Sequence, residues 1–383
     1  MTSNTPRLGM LTPSSNTALE PETYKLLHGT DAATAHFARV PVTRIALDGD
    51  SDSQFDLEPM LAAARQLADA KVDVIAWNGT SGSWLGIERD RALAAAITAE
   101  TGIPATTSTL ALLDACKAYG VTRLGLALPY TRDVCDQIVA TYAKEGIECS
   151  LAEPFDEDDN EAFGRIPAAD VARQIEQAAE GDTHAVTVLC TNVHGAGEAD
   201  RLEQTLDIPV FDSVTVTLWK ALELAGAAPR ITGHGDLLRS GSLRALIQDT
   251  LTGLLAETGA DRTTFRVDLP EHDLNVDITA GEALGTGVRS IRRDSSLDQR
   301  RLNTVEWLEE NRRTLIQPHF NEAPNPPQAL IDVYGVKAQM LAPVETGGAM
   351  TGWISVHSLS ERAWTPTDTA AIEAAVTRIR TAL

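Results

Sequence analysis

Short apolar runs and helix-like periodicities alternate along the first 240 or so residues of the chain. VDVIA (72–76) and AVTVL (185–189) read as buried strands, and each ends abruptly in small polar residues, WNGTSGS in one case and CTNVHG in the other. Alternation of such strands with helical patterns predicts a parallel α/β sheet. The pattern also repeats. RLGMLTPSSN (7–16) resembles RLGLALPYTRD (123–133), with Pro13 and Pro129 in register 116 residues apart. VDVIAWNGTS resembles HAVTVLCTNV, which sets Gly79 against Cys190 at an offset of 111. TGIPATTSTLALLDACKAYG (101–120) resembles LDIPVFDSVTVTLWKALELAG (206–226) at an offset of 105. Three matches in one order predict an internal duplication. The expected fold is α/β with two pseudo-symmetric lobes, each a parallel sheet flanked by helices, the lobes being about 1–115 with 215–240, and 116–214.

The pattern changes near residues 237–245. An amphipathic segment, LRALIQDTLTGLLAET (243–258), leads into TTFRVDLP (263–270) and a polar, glycine-containing stretch. ALIDVYGVKAQMLAPVE, the turn-like TGGAM and TGWISVHS follow with the alternation of an antiparallel hairpin. The closing TPTDTAAIEAAVTRIRTAL is a helix opened by Thr365 or Thr367 as cap. Two domains are expected, 1–240 and 245–383, which suits a chain of 383 residues.

Charge narrows the functions. A formal net charge of −22 disfavours nucleic acid, whose phosphates would be repelled. The acidic stretch FDEDDNEAF (155–163) reads as a solvated loop. No apolar run approaches membrane-spanning length, and the first twenty residues lack a basic segment followed by an apolar one. Cys116, Cys135, Cys149 and Cys190 show no CxxC spacing, so reduced thiols in a cytoplasmic protein are expected. No phosphate-binding glycine motif, metal-ligand spacing of histidines or strand-end lysine is present. Neither a cofactor nor a metal is expected.

What stands at the strand ends is a thiol, hydroxyls, amides and backbone N–H groups. Ligands of open parallel sheets bind beyond the carboxyl ends of strands, so Pro-Ser-Ser-Asn, Gly-Thr-Ser, Pro-Tyr and Cys-Thr-Asn would meet across one cleft if the lobes face each other. Such donors hold a carboxylate and stabilise the enediolate formed when electron density moves onto it. Cys190 then delivers or removes one proton at the neighbouring carbon. Ordinary turn and capping roles compete with this reading at each position taken singly, and burial as a small hydrophobe competes at Cys190.

GMLTPSSNT (9–17), VDVIAWNGTS, IPATTST (103–109), LALPY (126–130) and CTN (190–192) resemble the aspartate/glutamate racemase superfamily, in its maleate isomerase and arylmalonate decarboxylase branch. Isomerases of the branch carry two cysteines, one per lobe, whereas decarboxylases have Gly-Thr-Ser in place of the first. This chain combines an isomerase-like PSSNT with a decarboxylase-like Gly79-Thr80-Ser81. The resemblance implies that Thr80, Ser81 and Tyr130 bind the reacting carboxylate and that Cys190 donates the proton. Ser15 and Asn16 would hold a second carboxylate or polar group, and Gly79, Thr191 and Asn192 complete the substrate-binding set. His194 is either a tuning group for Cys190 or, as the favoured reading has it, a loop histidine. The reaction expected is cofactor-independent decarboxylation of a small malonate-type acid. Cis-trans isomerisation of a maleate-type acid or amide (or a related racemisation), and a non-catalytic dicarboxylate sensor, are the alternatives. Residues 245–383 resemble a GAF domain, α+β with an antiparallel sheet, which implies a small-molecule ligand or a homo-oligomer interface. Trp307, Trp353 and Trp364 are placed in its core in preference to its pocket.

Overall fold

Each half of the duplicated region builds one four-stranded parallel sheet. The computed structural model describes residues 5–320 and 323–383; residues 1–4 and 321–322 of the two expected domains lie outside the described residues. The first sheet contains β1 (Arg7–Pro13), β2 (Thr34–Val40), β3 (Val74–Trp77) and β4 (Ala105–Thr107), in the order β2-β1-β3-β4. The second contains β5 (Arg123–Ala127), β6 (Glu148–Leu151), β7 (Ala185–Val188) and β8 (Val210–Asp212), in the order β6-β5-β7-β8. The two orders are one topology written twice, as the sequence repeat requires. Leu8 pairs with Val74 and Leu11 with Trp77, just as Leu124 pairs with Ala185 and Ala127 with Val188.

Helices cover the sheets, which explains why β3 and β7 are buried at every position. Helix Ser213–Leu224 opens on a capping box between Asp212 and Thr215 and packs against β3 and β4, so chain from beyond the second sheet closes over the first. The central strands β1, β3, β5 and β7 end together in sequence terms at Pro13, Trp77, Ala127 and Val188, and every residue nominated above follows one of these ends within about four positions.

The chain packs as two units, one formed by residues through Lys117 together with Val121–Ser242, the other by Ala118–Gly120 with Leu243–Leu383. The division falls inside a continuous helix, Asp236–Thr258, where the sequence pattern had suggested a new segment from Leu243. The second unit holds an antiparallel five-stranded sheet. Its strands are β9 (Arg262–Val267), β10 (Gly281–Leu284), β11 (Leu315–Gln317), β12 (Ala338–Thr346) and β13 (Ala349–Ser358), in the order β10-β9-β13-β12-β11. Gly347 and Gly348, both at positive φ, make the tight turn between β12 and β13. Thr365 caps the final helix, Pro366–Ala382, in a capping box with Asp368. One sheet face carries Phe265, Val267, Met340, Ile354 and Val356, packed against Ile247 and Leu251 of the long helix and Ile372 and Ile379 of the last one.

No helix among the described residues is long and apolar enough to cross a membrane, and no group of histidine, cysteine and carboxylate side chains among them is arranged to hold a metal ion.

Candidate active site

Thr80, Ser81, Tyr130 and Cys190 are all buried, with 2–4% of their surface exposed. The Thr80 and Tyr130 hydroxyls are 2.8 Å apart, which joins the end of β3 to the end of β5. The Tyr130 hydroxyl also reaches the Cys190 sulfur, and the backbone N–H of Asn192 donates to that sulfur at 3.4 Å. Three residues from three strand ends therefore form one hydrogen-bonded chain. Tyr130 is fixed by its ring neighbours, Trp84 at 5.3 Å and Phe163 at 5.4 Å between centroids.

Burial sets the protonation state. It pushes the Cys190 thiol up to about 12, against the opposing effects of the Asn192 N–H and the Tyr130 hydroxyl, and the nearby Asp212 charge adds to the rise. Burial likewise raises Tyr130 well above its ordinary range. At neutral pH the site contains a thiol and a phenol, both able to donate. Among the described residues, the backbone N–H groups of Thr80, Ser81, Cys190 and Thr191 meet no protein acceptor. A hydroxyl, a phenol and a thiol thus adjoin one another, and the N–H groups of the same loops remain available as donors for negative charge.

Ser81 is held from behind. Trp77, fully buried at the end of β3, has its indole Nε1 3.4 Å from Ser81 Oγ. The same ring explains Gly79: a Cβ there would sit well inside van der Waals contact of Trp77 Cε2 and Cζ2. Gly79 is not among the residues at positive φ, so close approach rather than backbone conformation demands glycine. A cavity of about 220 Å³ lies beside Ser81, lined by Phe55, Leu57, Met60 and Leu93 with Arg89 and Asp90, and none of the other nominated residues lines it.

Four of the expected substrate contacts have their side chains engaged within the protein. Asn16 Oδ1 accepts from the backbone of Ala18 and Leu19 at 3.1 and 2.9 Å, while its Nδ2 donates to Thr191 Oγ1 at 3.1 Å. Thr191 Oγ1 in turn donates to Asn78 O at 3.0 Å. Asn192 Oδ1 accepts from Thr17 and Ala18 N–H, and its Nδ2 donates to Asn160 O at 2.5 Å. Ser15 Oγ donates to Val42 O at 2.7 Å and accepts from Asn160 Nδ2 at 2.8 Å. These side chains sew the two lobes together around the cysteine. His194 is bonded through Nε2 to Gly164 O at 3.1 Å, as a loop histidine is.

The acidic stretch 155–163 departs from its reading as a solvated loop. Asn160 N donates to Thr43 O, Ile45 N donates to Asp158 O, and Arg44 pairs with Asp158 at 2.9 Å. Asp159 caps a short helix, Asn160–Phe163, whose Phe163 is fully buried against Tyr130. It is a strap between the lobes, and it brings Asn160 and Phe163 to the site. Neither carries a motif in the sequence, nor does Trp77.

The family model of arylmalonate decarboxylase matches residues 8–238, and that of the GAF domain matches residues 242–383. An arylmalonate decarboxylase of Bordetella bronchiseptica is 29% identical over 185 residues, which are 47% of this chain and 77% of that relative. A maleate isomerase of Geobacillus stearothermophilus is 24% identical over 255 residues, 61% of this chain and 96% of the isomerase. Among solved structures, a liganded double mutant of arylmalonate decarboxylase is similar at 25% identity with a TM-score of 0.56, covering 62% of this chain and 100% of that one.

Proposed function

The chain belongs to the arylmalonate decarboxylase family and carries a GAF domain after the catalytic one, and from that premise we propose that it decarboxylates a small malonate-type dicarboxylic acid. The observation that supports this best is the Thr80–Tyr130–Cys190 chain of hydrogen bonds, in which two carboxylate-binding hydroxyls adjoin a protonated thiol. One substrate carboxylate would lie against Thr80, Tyr130 and Ser81 and the unpaired N–H groups beside them. The bond from the α-carbon to the second carboxylate breaks, carbon dioxide leaves, and the electron pair moves onto the held carboxylate as an enediolate. Donors already in place stabilise that charge without reorganising. The Cys190 S–H then gives its proton to the α-carbon, yielding the monocarboxylate, and the thiolate recovers a proton from water.

Ser15, Asn16, Thr191 and Asn192 would act in this scheme by holding the lobes in register, with Thr191 also offering its backbone N–H. Isomerisation is less well supported. It requires a thiolate to add to a double bond, whereas burial keeps Cys190 as a thiol and Gly79 supplies no second one.

The test is a substrate panel. Phenylmalonate, methylmalonate, maleate and maleamate are incubated with the protein, and carbon dioxide and fumarate are measured. Carbon dioxide from a malonate is expected. Fumarate from maleate with no carbon dioxide from any malonate would transfer the assignment to isomerisation.

A further inference from the structure

The C-terminal sheet is unusual on the face away from its two long helices. Antiparallel register places Arg266 beside Trp353, Thr264 beside Ser355 and Arg262 beside His357 on that face, with Gln339 next to His357. All are buried. A sheet face that carries this much polarity and yet is withdrawn from water must satisfy its groups internally or through an occupant.

Part of the demand is met by protein. Arg262 donates to Arg289 O at 2.5 Å and lies 3.6 Å from Glu282. Gln339 Nε2 donates to Gln317 Oε1 at 2.7 Å. Asp294, which also borders this region, accepts from Tyr334 OH and Ser296 N. Arg266 differs. It is 5% exposed, its Nη1 donates to Val276 O and Asp277 O at 2.7 Å each, and among the described residues no carboxylate lies within ion-pair distance of it. Among the described residues, its Nε and Nη2 meet no acceptor, and the hydroxyls of Thr264 and Ser355 and His357 Nε2 have no partner. Asp294, Asp277 and Glu282 act on it only from beyond contact distance, and a buried guanidinium with no carboxylate hydrogen-bonded to it is costly unless an occupant supplies one.

These groups open into a cavity of about 50 Å³ that Asp294, Gln299, Thr304 and Tyr334 also border, and whose apolar part is formed by Leu302, Val305, Leu330, Leu341 and Trp353. At about 10–15 Å³ per water-sized occupant, that is room for three to five such atoms or groups. His357 adds a donor rather than a second cation, because burial together with Arg262 and Arg266 lowers it to about 3 and its Nδ1 faces the Arg262 guanidinium at 3.4 Å, leaving the proton on Nε2.

We infer that this cavity binds a short-chain monocarboxylate, its carboxylate on Arg266, Thr264 and Ser355 and its carbon body against Leu341 and Trp353. The anion completes the hydrogen bonding of the arginine, and the apolar wall favours a carbon chain over an inorganic anion. A substituted acetate is also what decarboxylation of a malonate releases. That link rests on the proposed reaction, whereas the cavity chemistry does not.

The test is calorimetric titration of sodium propionate into the full chain, with sodium bicarbonate and sodium sulfate as probes of the same charge chemistry without a carbon chain. Saturable propionate binding is expected, weaker by about tenfold or more in Arg266→Met, since a charge-assisted pair is lost, and by several-fold in Ser355→Val. Tyr130→Phe, in the other unit, should leave it in place. Absence of saturable propionate binding overturns the inference. So does unchanged affinity in Arg266→Met, binding lost in Tyr130→Phe but kept in Arg266→Met, or bicarbonate or sulfate binding more tightly than propionate. If Arg266→Met does not fold, Ser355→Val decides in its place. A failed substrate panel would remove the proposed reaction and leave this expectation standing.

Discussion

In the first lobe the chain leaves β3 through Gly79-Thr80-Ser81, and in the second it leaves β7 through Cys190-Thr191-Asn192. The two loops follow equivalent strands of equivalent sheets, yet they have been furnished for different work. The first offers hydroxyls and bare N–H groups, with a fully buried indole pressed against its glycine. The second offers a thiol, and its two following side chains tie back to the first lobe. Under the proposed reaction, the duplicated scaffold shares carboxylate binding between the lobes, through Thr80 and Ser81 in one and Tyr130 in the other, and leaves the proton to the thiol of the second. On that proposal a proton would reach the enediolate from one face alone.

Cys190→Ala tests that division most severely. Turnover of the malonate substrate should fall by about 10²–10⁴-fold, the usual worth of a general acid, with an unchanged circular dichroism spectrum. A rate within a few-fold of wild type would take the acid out of the second lobe. Tyr130→Phe removes the phenol shared by both loops, and kcat should drop by about 10²–10³-fold, as for loss of one oxyanion donor.

The stereochemical consequence comes next. In deuterated water, a prochiral substrate should give one enantiomer, read by chiral chromatography; a racemic enzymatic product would break the one-sided scheme. Gly79→Cys alone should overpack Trp77 and lower stability by about 1–3 kcal/mol, measured by urea denaturation. Gly79→Cys with Trp77→Leu should relieve that crowding and racemise the product.

Smaller effects concern the joints and the thiol. Asn192→Ala takes the side-chain acceptor from the Thr17 N–H and leaves the Ala18 N–H to Asn16 alone, at about 1–3 kcal/mol in urea denaturation. Cys190 has a folded pKa of about 12, above its unfolded value of about 8.5. Its contribution to stability is therefore complete below about pH 8.5 and is lost as pH rises towards 12. Between pH 7 and 10 the wild type should lose more stability than Cys190→Ala, and kcat/KM should show no limb near pH 8.5.

Much of this was readable in the sequence because repetition and periodicity are local signals. The matched segments foretold two copies of one sheet, TGGAM foretold the Gly347-Gly348 turn, and Thr365 announced its helix. Tyr130 and Cys190 could be singled out as candidates because they sit immediately after apolar runs. What stayed hidden depends on partners distant in the chain. Nothing in FDEDDNEAF reveals that Asn160 bonds to Thr43, so charge alone suggested solvent. Asn16 and Asn192 looked like ligand contacts because an amide's partner cannot be read from its own position. The alternation of TGWISVHS announced an antiparallel hairpin, but that the polar face of its sheet is buried depends on residues such as Leu302 and Leu330, which pattern does not connect to it.

The contact between Trp77 and Gly79 also bears on how this site could change over generations. A cysteine arriving at position 79 while the tryptophan is present meets an occupied space and weakens the fold, so selection would remove it before any new activity could be favoured. A smaller residue must replace the tryptophan first, and that change loosens Ser81 without any immediate gain. The order of changes is thereby constrained, and a two-thiol site is reached through two substitutions, the tryptophan's before the glycine's. A large side chain packed behind a glycine thus holds the difference between the lobes in place.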